Sequence, residues 1–191
     1  MAEGVLLLEG SAELGEAKAD QAGLQFALGD KSRAERLCRE AMPMIESFRG
    51  RNLPSVRTRA YTCAGILLES KPKDAERQLL KLLDAGTFKL DVERAIILAQ
   101  IAKARLRMKR LGETVAAIDE AVALARSARD VPLLRPMLYI RANVLRAMKR
   151  RPEAAECERE AAALFVPPGN TVVDARLLRI DAKPRTSGLS R

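Results

Sequence analysis

A glycine-bounded stretch near the start of the chain imitates a phosphate-binding loop. Residues 10–15 read Gly-Ser-Ala-Glu-Leu-Gly. A phosphate loop of that kind continues with Lys and then Ser or Thr, which hold the phosphate and magnesium. Here Glu16 and Ala17 follow, and a glutamate at that point repels phosphate. The stretch therefore argues against a nucleotide site.

Acidic pairs are the other candidates for catalysis or metal binding. Asp119 with Glu120 and Glu153 with Glu156 lie on predicted helices, with no base partner or metal ligand close in sequence. The chain contains no histidine, which excludes a Ser-His-Asp triad and an imidazole metal ligand. We interpret the pairs as solvated charges and expect a protein that is not an enzyme and has neither metal nor cofactor.

Cysteine usage and hydropathy bear on location. Cys38, Cys63 and Cys157 are too few and too scattered for a zinc site or a disulfide framework, and an odd number favours reduced thiols in a cytosol. No apolar run approaches the roughly 18 residues of a membrane span. The start of the chain lacks the basic region of a secretory signal. We expect a cytoplasmic protein with no membrane partner.

The secondary-structure elements that carry the candidate binding residues are predicted to be helices. Alanine, leucine, arginine and glutamate are abundant, and all four are strong helix formers. Apolar residues recur at spacings of three and four, as in Ile97, Ile101, Ala104 and Met108. Turn signals divide the chain at Gly29-Asp30, Gly50, Pro54, Lys71-Pro72, Gly86, Pro132, Pro152 and Pro167-Pro168. The pattern predicts eight paired helical segments and an all-α fold.

Small residues recur in one register through most of the sequence. Ala34, Ala75, Thr114 and Ala154 follow one another at nearly equal intervals, which set a period of about 40. Two further columns keep the same period, one preceding these positions and one following them. They comprise Ala22, Cys63, Ala102 and Ala142, then Ala41, Leu82, Ala121 and Ala161. We call these twelve positions the small-residue columns, and we expect them where two antiparallel helices cross closely.

These columns resemble the tetratricopeptide repeat family, a 34-residue helix-turn-helix. That family carries small residues at its eighth, twentieth and twenty-seventh positions, and Leu28-Gly29-Asp30 matches its corner. On this register the units are 15–48, 56–89, 95–128 and 135–168. The resemblance implies an α-solenoid of four antiparallel helix-turn-helix repeats. A generic helical bundle is the alternative.

The chain departs from the family pattern in several places. The turn glycine is replaced by Ser70, Lys109 and Lys149. Pro43 falls inside the second helix of repeat one, where we expect it to kink or end that helix. The longer period resembles members with extended helices, including sensor portions of some bacterial transcription regulators.

Two segments flank the predicted repeats. Residues 1–14 are expected to form an N-terminal extension or partial cap. Residues 169–191 are expected to form a capping segment and a flexible basic tail, the tail being residues 183–191. The periodic Val173, Leu177 and Ile180 favour a final capping helix, and their β-branched members leave a short strand as the alternative.

Charge is segregated along the chain, whose formal net charge is +9. Residues 94–112 and 131–152 each contain six basic residues and no acidic one, whereas 113–130 and 153–160 are acidic on balance. In the resembled family, first helices line the concave face and second helices the back. The resemblance therefore implies a basic groove with an acidic back in the C-terminal half. The first helix of repeat one is acidic. The groove would therefore be negatively charged at one end and positively charged at the other.

The family's groove positions select eight candidate ligand-binding residues. They are Arg57, Tyr61, Gln100, Lys103, Arg107, Tyr139, Asn143 and Arg146. Arg and Lys would take carboxylates or phosphates. Lys103 and Asn143 fall where chaperone-binding members clamp a terminal carboxylate, although the rest of that clamp is absent. The alternatives are a merely solvated basic face and tyrosines that pack between helices.

The resulting hypothesis is a non-catalytic protein-protein interaction scaffold. Its concave basic groove would bind a peptide or protein segment with acidic groups. One alternative is a nucleic-acid-binding α-solenoid, which the net positive charge motivates although aromatics are scarce. Another is the sensory or assembly region of a larger regulator, with self-association of copies through oppositely charged ends.

Overall fold

The computed structural model describes residues 2–46, 54–84 and 90–164. These residues form eight α-helices and no strand, which confirms the predicted all-α fold over this part of the chain. The helices are α1 (Ala2–Ala27), α2 (Lys31–Glu46), α3 (Pro54–Leu67), α4 (Pro72–Asp84), α5 (Asp91–Arg107), α6 (Leu111–Ser127), α7 (Val131–Ala147) and α8 (Arg151–Ala163). The predicted capping segment and tail, residues 169–191, lie outside the described residues.

Packing follows chain order. Each helix packs on the next one, and α1 also packs on α3, as α5 does on α7. The first helices of the first two hairpins are thus neighbours, as are those of the last two, an arrangement typical of helical repeats. At the N-terminal end α1 is a single helix from Ala2, so it crosses the expected boundary between residues 14 and 15 without a break.

The later helices are evenly spaced along the chain. The helices α5, α6 and α7 are each 17 residues long. They begin at Asp91, Leu111 and Val131, and α8 begins at Arg151, so every start follows the previous one at the same interval. Two such helices make one hairpin, and the length of that hairpin accounts for the period of the small-residue columns.

Four of the turns share one backbone conformation. Gly29, Lys109, Arg129 and Lys149 have φ of 90°, 60°, 54° and 63°. In each turn the next amide donates to a carbonyl five positions earlier, as Asp130 N does to Ala125 O at 3.1 Å. This is the Schellman ending of a helix, in which a left-handed residue lets the chain reverse. We call these four the left-handed turn residues.

Aspartates cap two of the helix starts. The Oδ1 atoms of Asp30 and Asp130 accept from Arg33 N and Leu133 N, each at 3.0 Å, and so satisfy free amides at the starts of α2 and α7.

Pro43 lies inside a helix. The helix α2 continues through Pro43 to Glu46, so Pro43 does not end it. The ring lies on an exposed face, where water can reach the carbonyl that loses its amide partner.

The small-residue columns lie in the core as expected. Eleven of the twelve are at most 1% exposed, and Leu82 is partly buried. The buried side chains form two main clusters. An N-terminal cluster joins α1, α2 and α3, and a central cluster extends from α3 and α4 to α8. The division runs through α4, where Ala75 belongs to the first cluster and Leu79 to the second.

Candidate peptide-binding surface

The eight residues predicted to bind a ligand lie on three first helices. Arg57 and Tyr61 are on α3, Gln100, Lys103 and Arg107 on α5, and Tyr139, Asn143 and Arg146 on α7. The helices α5 and α7 pack together, and a side-chain hydrogen bond joins α3 to α5. We call the surface that these three helices share the first-helix surface.

The Tyr61 and Gln100 side chains form that link between α3 and α5. Gln100 Nε2 donates to Tyr61 Oη at 3.1 Å. Gln100 is only 2% exposed, and burial raises the pKa of Tyr61 to about 12. Both side chains therefore pack between helices, in line with the alternative interpretation of Tyr61. The sequence predicts that Gln100 contacts a ligand, whereas its side chain is buried in the structure.

Lys103 lies half-buried one turn from Arg107 on α5. Burial lowers the pKa of Lys103 to about 8, and the positive charge of Arg107 acts in the same direction. Two cations held this close favour an anionic ligand, because a carboxylate between them would relieve their repulsion.

Arg107 and Arg146 keep half-exposed guanidinium groups on α5 and α7. Arg107 Nη2 is 3.9 Å from Glu69 Oε1, beyond hydrogen-bond distance. Arg146 donates to Asn143 Oδ1 at 2.9 Å and also pairs with Glu158. Both guanidinium groups are therefore accessible, and each already has a carboxylate neighbour.

Carboxylates from other parts of the chain neutralise much of the two acid-free stretches. Among the described residues, at least seven of their twelve basic residues form ion pairs. The pairs are Arg94–Glu120, Arg105–Glu76, Arg107–Glu69, Arg110–Glu76, Arg141–Asp119, Arg146–Glu158 and Arg150–Glu153. The first-helix surface is therefore less positive than the sequence indicates.

The most buried of these carboxylates belongs to Glu76 on α4, which is 5% exposed. Its Oε1 accepts from Arg105 Nε at 2.6 Å, and its Oε2 accepts from Arg110 Nη1 at 2.5 Å. Arg110 also donates through Nε to Glu113 at 2.7 Å. This network ties α4 to α5 and α6. No local pattern in the sequence marks it, because its members lie on different helices.

The three thiols are buried. A hydrogen bond with Cys63, together with burial, raises the pKa of the Cys38 thiol. Arg141 Nη1 donates to Cys157 Sγ at 3.2 Å. Within residues 13–46, 56–84 and 90–164, no group of three or more Cys, Asp or Glu side chains could hold a metal ion.

In the described part of the chain, no helix is both long and apolar enough to cross a membrane. Comparison with protein-family models, with characterised proteins and with solved structures finds no significant match in any of the three.

Proposed function

We propose that the protein is a non-catalytic interaction module, a tetratricopeptide-like solenoid of four repeats that binds an acidic peptide or protein segment. The observation that carries the proposal is the set of cations on adjacent first helices. Lys103 and Arg107 on α5 and Arg146 on α7 are at least partly accessible. Helices packed in this way present a preformed surface, so little conformational entropy is lost when a ligand binds.

Binding would add a closer ion pair at Arg107. A ligand carboxylate can approach Arg107 in bidentate geometry, and the Glu69 contact at 3.9 Å offers little competition. Arg146, which already pairs with Glu158, would receive a second carboxylate at its half-exposed guanidinium group. Tyr139, partly buried beside the core on α7, adds flat contact area.

Charge reversal at the accessible cations tests this proposal. An array of short acidic and neutral peptides identifies a binder, and fluorescence anisotropy then measures its affinity. We expect the Arg107→Glu, Arg146→Glu variant to bind the chosen acidic peptide at least about tenfold more weakly, as loss of two charge-assisted contacts requires. The control is Arg77→Glu with Arg126→Glu, the same charge change on α4 and α6, and it should bind as the wild type does. Equal affinities of the two variants, or an array without preference for acidic peptides, would exclude the proposal.

Nucleic acid is the second candidate, favoured by one observation. Arg33, Arg36 and Arg39 are exposed on α2, and among the described residues none of their side chains forms an ion pair. Three arginines at this spacing follow one helix face and can contact phosphates. A gel shift with a short DNA duplex at two salt concentrations tests this second candidate. Binding through phosphate contacts should weaken steeply as the salt concentration rises, and absence of binding at low salt would exclude it.

A further inference from the structure

Two of the three buried cysteines lie in contact on different helices. Cys38 is on α2 and Cys63 is on α3, and each is 0% exposed. Both belong to the N-terminal cluster, and a hydrogen bond joins their thiols. Neither side chain reaches the first-helix surface, because both are buried. A pair of thiols in direct contact can be joined covalently, which no other two cysteines of the chain can do.

The helices that carry this pair cross closely. The helix α2 packs on α3. Ala34 and Ala41 lie one turn on either side of Cys38, and Ala60 lies one turn before Cys63. All three alanines are buried in the same cluster as the cysteines. Such small side chains let two backbones approach, and a disulfide needs Cα atoms roughly 4.4–6.8 Å apart. We therefore expect the sulfur atoms to join by side-chain rotation, without displacement of the helices.

The third thiol has a different neighbour. Cys157 lies on α8, and Arg141 Nη1 donates to its Sγ at 3.2 Å. It belongs to a separate small cluster with Ala142, Leu145 and Ala154. The odd number of cysteines thus resolves into one pair, held between α2 and α3, and one single thiol at the other end of the described helices.

The surroundings of the pair keep it reduced under ordinary conditions. A hydrogen bond with Cys63 and burial raise the pKa of the Cys38 thiol, and a protonated thiol is a poor nucleophile. Burial also keeps an oxidant away until the packing of the N-terminal cluster opens locally. Oxidation should therefore be slow and limited by such openings.

We propose that Cys38 and Cys63 are an oxidation site, at which hydrogen peroxide produces an intramolecular disulfide that fastens α2 to α3. One cysteine, as its thiolate, attacks a peroxide oxygen. The O–O bond breaks, the sulfur becomes a sulfenic acid, and the other oxygen takes up a proton and leaves as water. The second thiol then attacks the sulfenic sulfur, so that the S–S bond forms, the S–O bond breaks and a second water leaves with the thiol proton. Two thiols are oxidised, and one peroxide is reduced to two waters.

The bond would join the first hairpin to the second. The helix α2 ends the hairpin that α1 begins, and α3 begins the next one. A covalent link between them restricts the unfolded chain, so the oxidised protein should resist unfolding better than the reduced protein does.

Counting free thiols tests the proposal. The native full chain is treated with hydrogen peroxide, unfolded in urea and alkylated, and mass spectrometry counts the labels. The wild type should fall from three free thiols to one, on Cys157, and dithiothreitol should restore all three. Peptide mapping without reductant should show Cys38 joined to Cys63. A wild type that keeps three thiols, a bond that includes Cys157, or a bond found only between two chains would overturn the proposal.

Two variants give matched controls. Cys157→Ala should fall from two free thiols to none. Cys63→Ala should form no intramolecular bond, and it should fold, because Ala22 and Ala102 already occupy equivalent positions of the small-residue columns.

Urea unfolding measures the effect of the bond on stability. Each peroxide-treated protein is compared before and after dithiothreitol, so that methionine oxidation contributes equally to both measurements. The wild type and Cys157→Ala should unfold at a lower urea concentration once reduced, and Cys63→Ala should not change. An oxidised wild type that is no more resistant to urea than its reduced form would show that the bond does not fasten α2 to α3, and would overturn that part of the proposal.

Discussion

At the scale of single residues, burial separates the candidate ligand contacts from the packing residues. Gln100 and Tyr61 hydrogen-bond each other between α5 and α3, whereas Arg107 and Arg146 reach solvent. Lys103 lies between these cases, since its stem is covered and its charge is disfavoured. Its titration therefore reports how strongly its own burial and the neighbouring Arg107 disfavour the charged form.

Stability should depend on pH through Lys103. Its folded pKa of about 8 lies below the roughly 10.4 of an unfolded chain. Between these values the unfolded state binds more protons, so the free energy of unfolding rises with pH across that window. The Lys103→Met variant lacks this dependence. Urea unfolding at pH 7 and pH 10 should show the wild type gaining stability relative to the variant as pH rises. A constant difference between the two proteins would contradict the shifted pKa.

The residues of the small-residue columns were predictable, and the ion pairs were not. A column repeats at a fixed spacing, so one chain displays it several times, as at Ala34, Ala75 and Ala154. The contact between Glu76 and Arg105 joins residues 29 apart on different helices. Nothing local marks it, because which charged side chains meet depends on how the helices are rotated against each other. For this reason the sequence overstates the positive charge of the first-helix surface.

At the scale of the helix, four turns keep a left-handed residue, although three of them lack the glycine that usually adopts this conformation. Only Gly29 among the left-handed turn residues is a glycine, and Lys109, Arg129 and Lys149 adopt positive φ with a side chain present. A Cβ in this conformation costs about 1 kcal/mol or more. The glycine of the family pattern is replaced at Lys109 and Lys149. The structure keeps the turn at both positions, because the Schellman hydrogen bonds and helix packing offset the strain.

Glycine at these turns should stabilise the protein. We expect Lys109→Gly, Arg129→Gly and Lys149→Gly each to raise the free energy of unfolding by about 0.5 kcal/mol, the relief of strain less the added freedom of the unfolded chain. The matched control is Arg39→Gly on the exposed face of α2, which should lower it by about 1 kcal/mol. Thermal and urea unfolding measure both. A turn variant as destabilised as Arg39→Gly would show that the turn is not strained.

At the scale of the whole molecule, a division in the core crosses α4, and polar contacts bridge it. The N-terminal cluster ends with Ala75, and the central cluster includes Leu79 on the same helix. Between these two positions, Glu76 binds Arg105 and Arg110 from the next hairpin. This buried network therefore couples the two halves.

Removing the Glu76 charge should weaken that coupling. We expect Glu76→Gln to lower the free energy of unfolding by about 2–3 kcal/mol, because two arginines lose a buried carboxylate. Glu113→Gln, at an exposed carboxylate that binds the same Arg110, should cost less than about 1 kcal/mol. Urea unfolding compares the two variants. Equal losses would mean that the Glu76 pairs act as ordinary surface contacts.

Periodicity and turn residues were enough to predict eight paired helices, because those signals are local. The exposure of one face of α1 was harder to predict. Exposed leucines such as Leu14 and Leu24 have the same helical spacing as buried ones, and only the position of α1 at the start of the described helices distinguishes the two.

From α5 to α8 the helices begin at a constant interval, so each hairpin in this part of the chain is a repeating unit of fixed length. Residues 91–130 hold one complete hairpin and end on Asp130, the residue that caps the next helix. A second copy of residues 91–130 inserted after Asp130 would begin at the interval that α7 keeps, with Asp130 in the capping position. The chain can therefore lengthen by whole hairpins without a new type of junction, in evolution through tandem duplication and in the laboratory through cloning.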